Sequence, residues 1–110
     1  MLEIFNDDWV HSRNKNYYTI QLAKSDELDG LLKMARKQPM LKETAYYTSV
    51  EDGKKWYNLV YGNFKDKKSA TAEIKNLPKT VKQWSPKVRR FSEVHSNMSL
   101  DAPKVLINKN

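Results

Sequence analysis

YYTIQL at Tyr17–Leu22 and KWYNLVYGNF at Lys55–Phe64 decide the fold. In each, every second residue is apolar or aromatic, the period of a half-buried strand. Tyr18, Ile20 and Leu22 share one face of the first strand, and Thr19 and Gln21 share the other. In the second, Tyr57, Leu59 and Tyr61 point inward and leave Trp56, Asn58 and Val60 outward. A tryptophan held on the polar face of a sheet forgoes burial worth roughly 1.5–3 kcal/mol, so its ring is expected to serve a ligand.

Working outward, SDELDGLLKMARKQ sets Leu28, Leu31, Leu32 and Ala35 at helical spacing. Ser25 is the expected cap, Asp26 and Glu27 the expected first-turn acids, and Pro39 the stop. TAYYTSVEDGKKWYNLVYG reads as a hairpin turning at Asp52 and Gly53. Asp66 caps a second helix that runs to Asn76, with Ala70, Ile74 and Leu77 inside and Pro78 beyond its end. Lys87–Val94 is the expected last strand. The order is that of an α+β, ribonucleoprotein-like βαββαβ fold: a four-stranded antiparallel sheet, two helices on one face, and an open binding face. Residues 1–16 form an N-terminal extension, with Trp9 and Val10 able to pack back. Residues 17–95 form the domain, and residues 96–110 a tail.

The composition supports one domain: 110 residues, 39% hydrophobic and 30% charged, without cysteine. No stretch approaches the roughly 20 apolar residues of a membrane span, and MLEIFNDD lacks the regions of a signal peptide. The net charge of +7 favours polyanionic partners such as nucleic acid, acidic lipid or a carboxylate-bearing polysaccharide. His11 and His95 stand alone, without metal-site spacing. Asp7, Asp8, Glu51 and Asp52 fall at termini or turns, where carboxylates are solvated rather than paired for glycoside hydrolysis. Neither GxxxxGK[ST] nor GxGxxG occurs. The reading is therefore of a binder, not an enzyme, with no cofactor and no metal. Tyr57 and Tyr61 belong to the core by default. Two places remain open to Trp84, in the loop QWSP: a plug at the end of the core, or an extension of an aromatic platform beside Trp56.

These residues resemble SPOR domains, the peptidoglycan-binding modules of bacterial cell-division proteins, in particular the DamX type. The likeness runs from about Trp9 to Val94. It rests on YTIQL with Trp9 ahead of it, on WYNLVYGNF followed by DKKSATAEIKNLP, and on the tryptophan before the final strand in WSPKVRRF. The resemblance implies binding of glycan strands stripped of stem peptides, through Gln21, Trp56 and Trp84. Where the family often has serine, three residues after the strand glutamine, this chain has Lys24, a fourth candidate ligand residue suited to the lactyl carboxylate. Arg89, Arg90 or nearby lysines are further candidates for that charge. It also implies a periplasmic or cell-envelope location at the division septum, within an inner-membrane-anchored parent. The membrane is then reached only through the parent's anchor, and Met1 is expected to open either a piece cut from that longer chain, the favoured reading, or a short relative exported by another route. Other divisome proteins are further candidate partners.

Two rival uses of the same face remain: single-stranded nucleic-acid binding, and a divisome protein-interaction module. The first is disfavoured because KWYNLVYG lacks the glycine and aromatic spacing of the RNA-recognition signature.

Overall fold

A computed structural model describes residues 3–39 and 41–99. The expectations placed on residues 1–2 and 100–110, which include most of the tail, lie outside the described residues. The sheet is built around the expected hairpin. Asp52 and Gly53 both take positive φ, 54° and 77°, and turn the chain in two residues. That geometry matches the right-handed twist of the flanking strands, and glycine adopts it without steric cost. The turn fixes the register, Glu51 opposite Lys54 and Ser49 opposite Trp56.

Element order is β1 (Ile4–Phe5), α1 (Asp7–His11), β2 (Tyr18–Ser25), α2 (Leu28–Arg36), β3 (Thr44–Glu51), β4 (Lys54–Phe64), α3 (Lys67–Asn76), α4 (Lys79–Lys82), β5 (Lys87–Arg90) and α5 (Phe91–Asn97). The strands form one sheet in the order β1-β3-β4-β2-β5. The α+β class stands, but the sheet is mixed and five-stranded rather than four-stranded and antiparallel. β1 pairs in parallel with β3 at Thr44 and Ala45. Further along the same edge, Met98 bridges Ser49, and the Ser99 N–H donates to the Thr48 carbonyl at 2.8 Å. The two segments satisfy edge groups of β3 that would otherwise offer a template for another strand.

α2 and α3 cover one face, over a core that includes Ile20, Leu22, Leu31, Leu59 and Ala70. The start of α2 differs from expectation. Ser25 is the last residue of β2, and its hydroxyl accepts from the Glu27 N–H at 3.0 Å. Glu27 occupies the cap position, and Asp29 is the acid of the first turn. α3 starts as its sequence indicates, with Asp66 accepting from the Ser69 N–H at 2.7 Å. That bond holds the Asp66 carboxyl below its ordinary range.

The expected last strand is too long. β5 ends at Arg90, and α5 begins at Phe91. Continued as a strand, Phe91 and Val94 would point to opposite faces; as a helix, Phe91, Val94 and Met98 share one stripe. That stripe meets Val10 of α1 together with Ala45, Tyr47 and Val60 of the sheet in a second core. The face expected to be open is thus largely covered by α1 and α5. Val60 is fully buried and Asn58 is 3% exposed, although both were expected outward into solvent. Burial of Phe91, Val94 and Val10 contributes about 1.5–3 kcal/mol each, which is why the chain ends fold back.

Candidate functional site

What α1 and α5 leave uncovered lies toward the hairpin end of the sheet. Two irregularities in strand pairing shape it. Gly62, at φ 87°, marks a bulge in β4, and a Cβ there would fall 2.3 Å from the Phe64 ring. The second lies in β2. Gln21 opposes Val60, Ala23 opposes Leu59, and Lys24 opposes Asn58. Directly opposed residues share a face, so the bulge puts Gln21 and Lys24 on the same side despite their odd spacing. Simple alternation would have placed Lys24 behind the sheet. β5 adds Lys87, opposite Gln21, and Arg89, opposite Thr19.

On this surface a chain of polar contacts crosses four strands. Arg89 Nη1 donates to Gln21 Oε1 at 2.7 Å, and Gln21 Nε2 donates to Asn58 Oδ1 at 3.4 Å. Asn58 Nδ2 donates to Ser49 Oγ at 3.0 Å and to the Tyr47 carbonyl at 3.4 Å. Ser49 Oγ donates to Glu51 at 3.4 Å, and Glu51 holds Lys24 Nζ with both oxygens, at 2.6 and 2.7 Å. The direction of the chain is set by Arg89, which can only donate. Gln21 must turn its oxygen to Arg89 and its nitrogen to Asn58. The Gln21 carboxamide is therefore oriented before any ligand arrives, with one lone pair and one N–H unused among the described residues.

Gln21, Lys24 and Trp84 meet with Lys87, Arg89 and Ser85 around a cavity of about 280 Å³, just below the roughly 300–1,000 Å³ typical of small-ligand sites. Trp84 packs against the first core, the first of the two places open to it, and also lines this cavity; no ring contact joins it to Trp56 among the described residues. Ser85, at φ 61°, sharpens the turn behind it. Trp56 does not line the cavity but adjoins it through Lys24, whose Nζ lies 5.0 Å from the Trp56 ring centroid. Lys54 Nζ lies 4.7 Å from the same centroid and is paired with Asp26 at 3.1 Å. The half-buried indole thus has two ammonium groups beside its stacking surface.

The cations around the cavity differ in their commitments. Lys24 is paired with Glu51 and Arg89 with Glu93, while Lys87 makes no ion pair among the described residues. Arg90 lies on the other face, 5.5 Å from the Tyr18 ring centroid. The two histidines are not solitary. Their ring centroids are 5.5 Å apart, and His95 Nε2 contacts the Val10 carbonyl at 2.9 Å, tying α5 to α1. Asp7 is not merely solvated either: it accepts from the Thr48 N–H at 2.8 Å and anchors α1 to β3. Tyr57 and Tyr61 pack on the first core as expected. Burial and a 2.8 Å hydrogen bond to Glu73 push the Tyr61 hydroxyl up to about 12.

The sequence reading gave no site role to Asn58, Ser49, Glu51 or Lys87, although it set Asn58 on the outward face and Glu51 in a solvated turn. Asn58 had a signal, an amide between Tyr57 and Leu59 in the middle of a strand. The other three sit at positions where a polar residue is unremarkable.

Fold and site together describe a β-sheet module with aromatic rings, an oriented amide and cations gathered at one end of a half-covered face. The SPOR domain family model matches residues 14–90, and the chain belongs to that family. It is also 35% identical over 89 residues to the cell division protein DamX of Serratia marcescens. That alignment covers 81% of this chain and 41% of the relative, so the chain spans about two-fifths of the relative's length.

Proposed function

We propose that this chain binds septal peptidoglycan, through glycan strands denuded of stem peptides, and so brings a cell-division protein to the septum. The observation that carries the reading is the convergence of Gln21, Lys24 and Trp84 on one cavity with Trp56 at its margin. Sugar rings present apolar C–H faces that stack on indoles, and their hydroxyl and acetamido groups suit the free lone pair and N–H of Gln21. Removal of the stem peptide leaves a lactyl carboxylate on the glycan. Lys87, with no ionic partner among the described residues, is its natural counter-charge, and Lys24 can join by exchanging Glu51 for the ligand. A periplasmic or cell-envelope location at the septum, within an anchored parent, belongs to the same proposal.

The experiment is co-sedimentation with sacculi, intact or stripped of stem peptides by an amidase. The expected result is enrichment on stripped material, and loss of at least about thirtyfold in affinity for Trp56→Ala, the scale of an aromatic anchor. Equal sedimentation of a folded Trp56→Ala variant would remove Trp56 from the site. Absence of binding to both materials would overturn the glycan reading.

A further inference from the structure

The side of α3 turned away from the sheet carries a second concentration of charge. Lys67, Lys68 and Lys75 surround an open hollow of about 470 Å³ floored by Thr71 and Ala72. Lys65 precedes it, and Lys79 and Lys82 of α4 follow, all exposed. Residues 65–82 thus hold six lysines against two carboxylates, and both carboxylates are engaged within the fold. Asp66 caps α3, and Glu73 accepts from the Tyr61 hydroxyl. The ion pairs among the described residues involve Lys24, Lys54 and Arg89, so none of these six lysines is neutralised there.

Six ammonium groups on one short helical unit repel one another, and an anionic surface relieves that repulsion. The shape of the patch indicates what kind. No aromatic residue occurs between residues 65 and 82, so bases have nothing to stack on. The lysine stems, Ala72 and the Thr71 methyl instead form a small apolar floor ringed by charge, while Ala70 and Ile74 of α3 pack on the core, so this face offers surface charge rather than an apolar wedge. α3 carries Lys67, Lys68 and Lys75, and Lys65, Lys79 and Lys82 flank it, which brings the cluster into the range of roughly four to eight cations that attracts an anionic bilayer surface.

We propose that the α3–α4 lysine face docks on a bilayer surface rich in anionic phospholipid. α3 packs on the face of the sheet opposite the one that carries Gln21 and Trp56, so a domain docked through α3 turns those two residues away from the lipid and both surfaces can be occupied together. The inference does not depend on what the sheet face binds.

The test is co-sedimentation of the full chain with vesicles of phosphatidylcholine alone or mixed with phosphatidylglycerol, over a series of salt concentrations. Binding is expected to the mixed vesicles only and should weaken steadily with salt. Each lysine near the surface contributes about fivefold, so Lys67→Glu, Lys68→Glu and Lys75→Glu together should lower binding by roughly a hundredfold or more. The Lys→Gln triple variant, which perturbs the fold less, should lower it in the same direction. Both variants should still sediment with sacculi if the peptidoglycan reading holds, which separates the two proposals. Failure to bind mixed vesicles at low salt, or unchanged binding by the triple variants, overturns the inference. Capture by heparin or single-stranded RNA without capture by vesicles overturns it in favour of a polyanionic chain.

Discussion

Asn58→Asp replaces one amide nitrogen by oxygen and tests whether the polar chain is as dry and as directional as its geometry indicates. Asn58 is 3% exposed; its Oδ1 accepts from Gln21, and its Nδ2 donates to Ser49 and to the Tyr47 carbonyl. A protonated carboxyl can keep part of this pattern, because its single O–H donates to the Tyr47 carbonyl where one N–H did, at the loss of the bond to Ser49. An ionised one cannot, since it sets an acceptor against the Tyr47 carbonyl. Ser49 could donate to it only by abandoning Glu51. The nearby cations Lys24 and Arg89 are already paired. Burial and the lost donor should raise the carboxyl by about 2–3 units above its ordinary value, equivalent to about 3–4 kcal/mol. A carboxyl raised in the folded state is proton-bound more tightly there than in the unfolded chain. Its penalty is therefore absent below the ordinary carboxyl range, grows as pH rises through it, and is complete above the raised value. Urea denaturation of the variant against the parent should show a difference within about 1 kcal/mol near pH 4 and about 3–4 kcal/mol near pH 7. That is a large part of the roughly 5–15 kcal/mol available to such a domain. Equal destabilisation at both pH values would refute the reasoning and show that water reaches the Asn58 side chain.

Lys87→Gln removes a cavity cation from an exposed edge position, so stability should hold within about 0.5 kcal/mol, while affinity for stripped sacculi falls several-fold and becomes less salt-dependent. Undiminished salt dependence would assign the counter-charge elsewhere. Tyr61, raised to about 12, favours its neutral form in the folded state. Its contribution is intact below the ordinary tyrosine value and is lost as pH rises from about 10 to about 12, so Tyr61→Phe should flatten the alkaline decline in stability measured by ultraviolet titration and denaturation. Truncation to residues 14–90 removes Val10, Phe91, Val94 and Met98 from the second core. At about 1.5–3 kcal/mol for each large side chain, that loss rivals the whole stability, so the truncated chain should lose its cooperative thermal transition.

The legible parts of the fold were those set by local sequence. Asp52-Gly53 declares its turn because so few residue pairs accept positive φ twice, and Asp66 declares a helix start because its side chain reaches its own backbone three residues on. The start of α2 was misplaced because Ser25, Asp26 and Glu27 all suit a helix entrance and only the length of β2 chooses among them. α5 was missed because Phe91, Val94 and Met98 announce a helix only once a surface exists to receive them. That surface was itself visible: Ala45, Tyr47 and Val60 are apolar on the side supposed to face solvent, the mark of a sheet buried on both faces. Of the site, Trp56 is legible from its outward parity on the strand and Trp84 from its loop before the last strand, and the family resemblance adds Gln21 to them. The bulge that adds Lys24 to their face follows from cross-strand register, and no window of β2 alone contains it.

The cover on the second face bears on the site as well as on stability. α1 and α5 lie outside residues 14–90, the stretch matched by the family model, yet they supply half of the second core. With them in place, Asn58 and Ser49 are buried at 3% and 2% exposure, with a dry core on one side and the open end of the sheet on the other. Hydrogen bonds in such surroundings are stronger than in water, and losing a partner there is more costly. The Gln21 carboxamide is thus held by a chain that resists rotation at both ends, Arg89 through its bond to Glu93 and Asn58 through its burial. A ligand meeting an amide already oriented need not restrict its rotation on binding, which favours affinity without new contacts. If Gln21 contacts the ligand as proposed, α1 and α5 support recognition from behind, by removing water from the side chains that orient its amide.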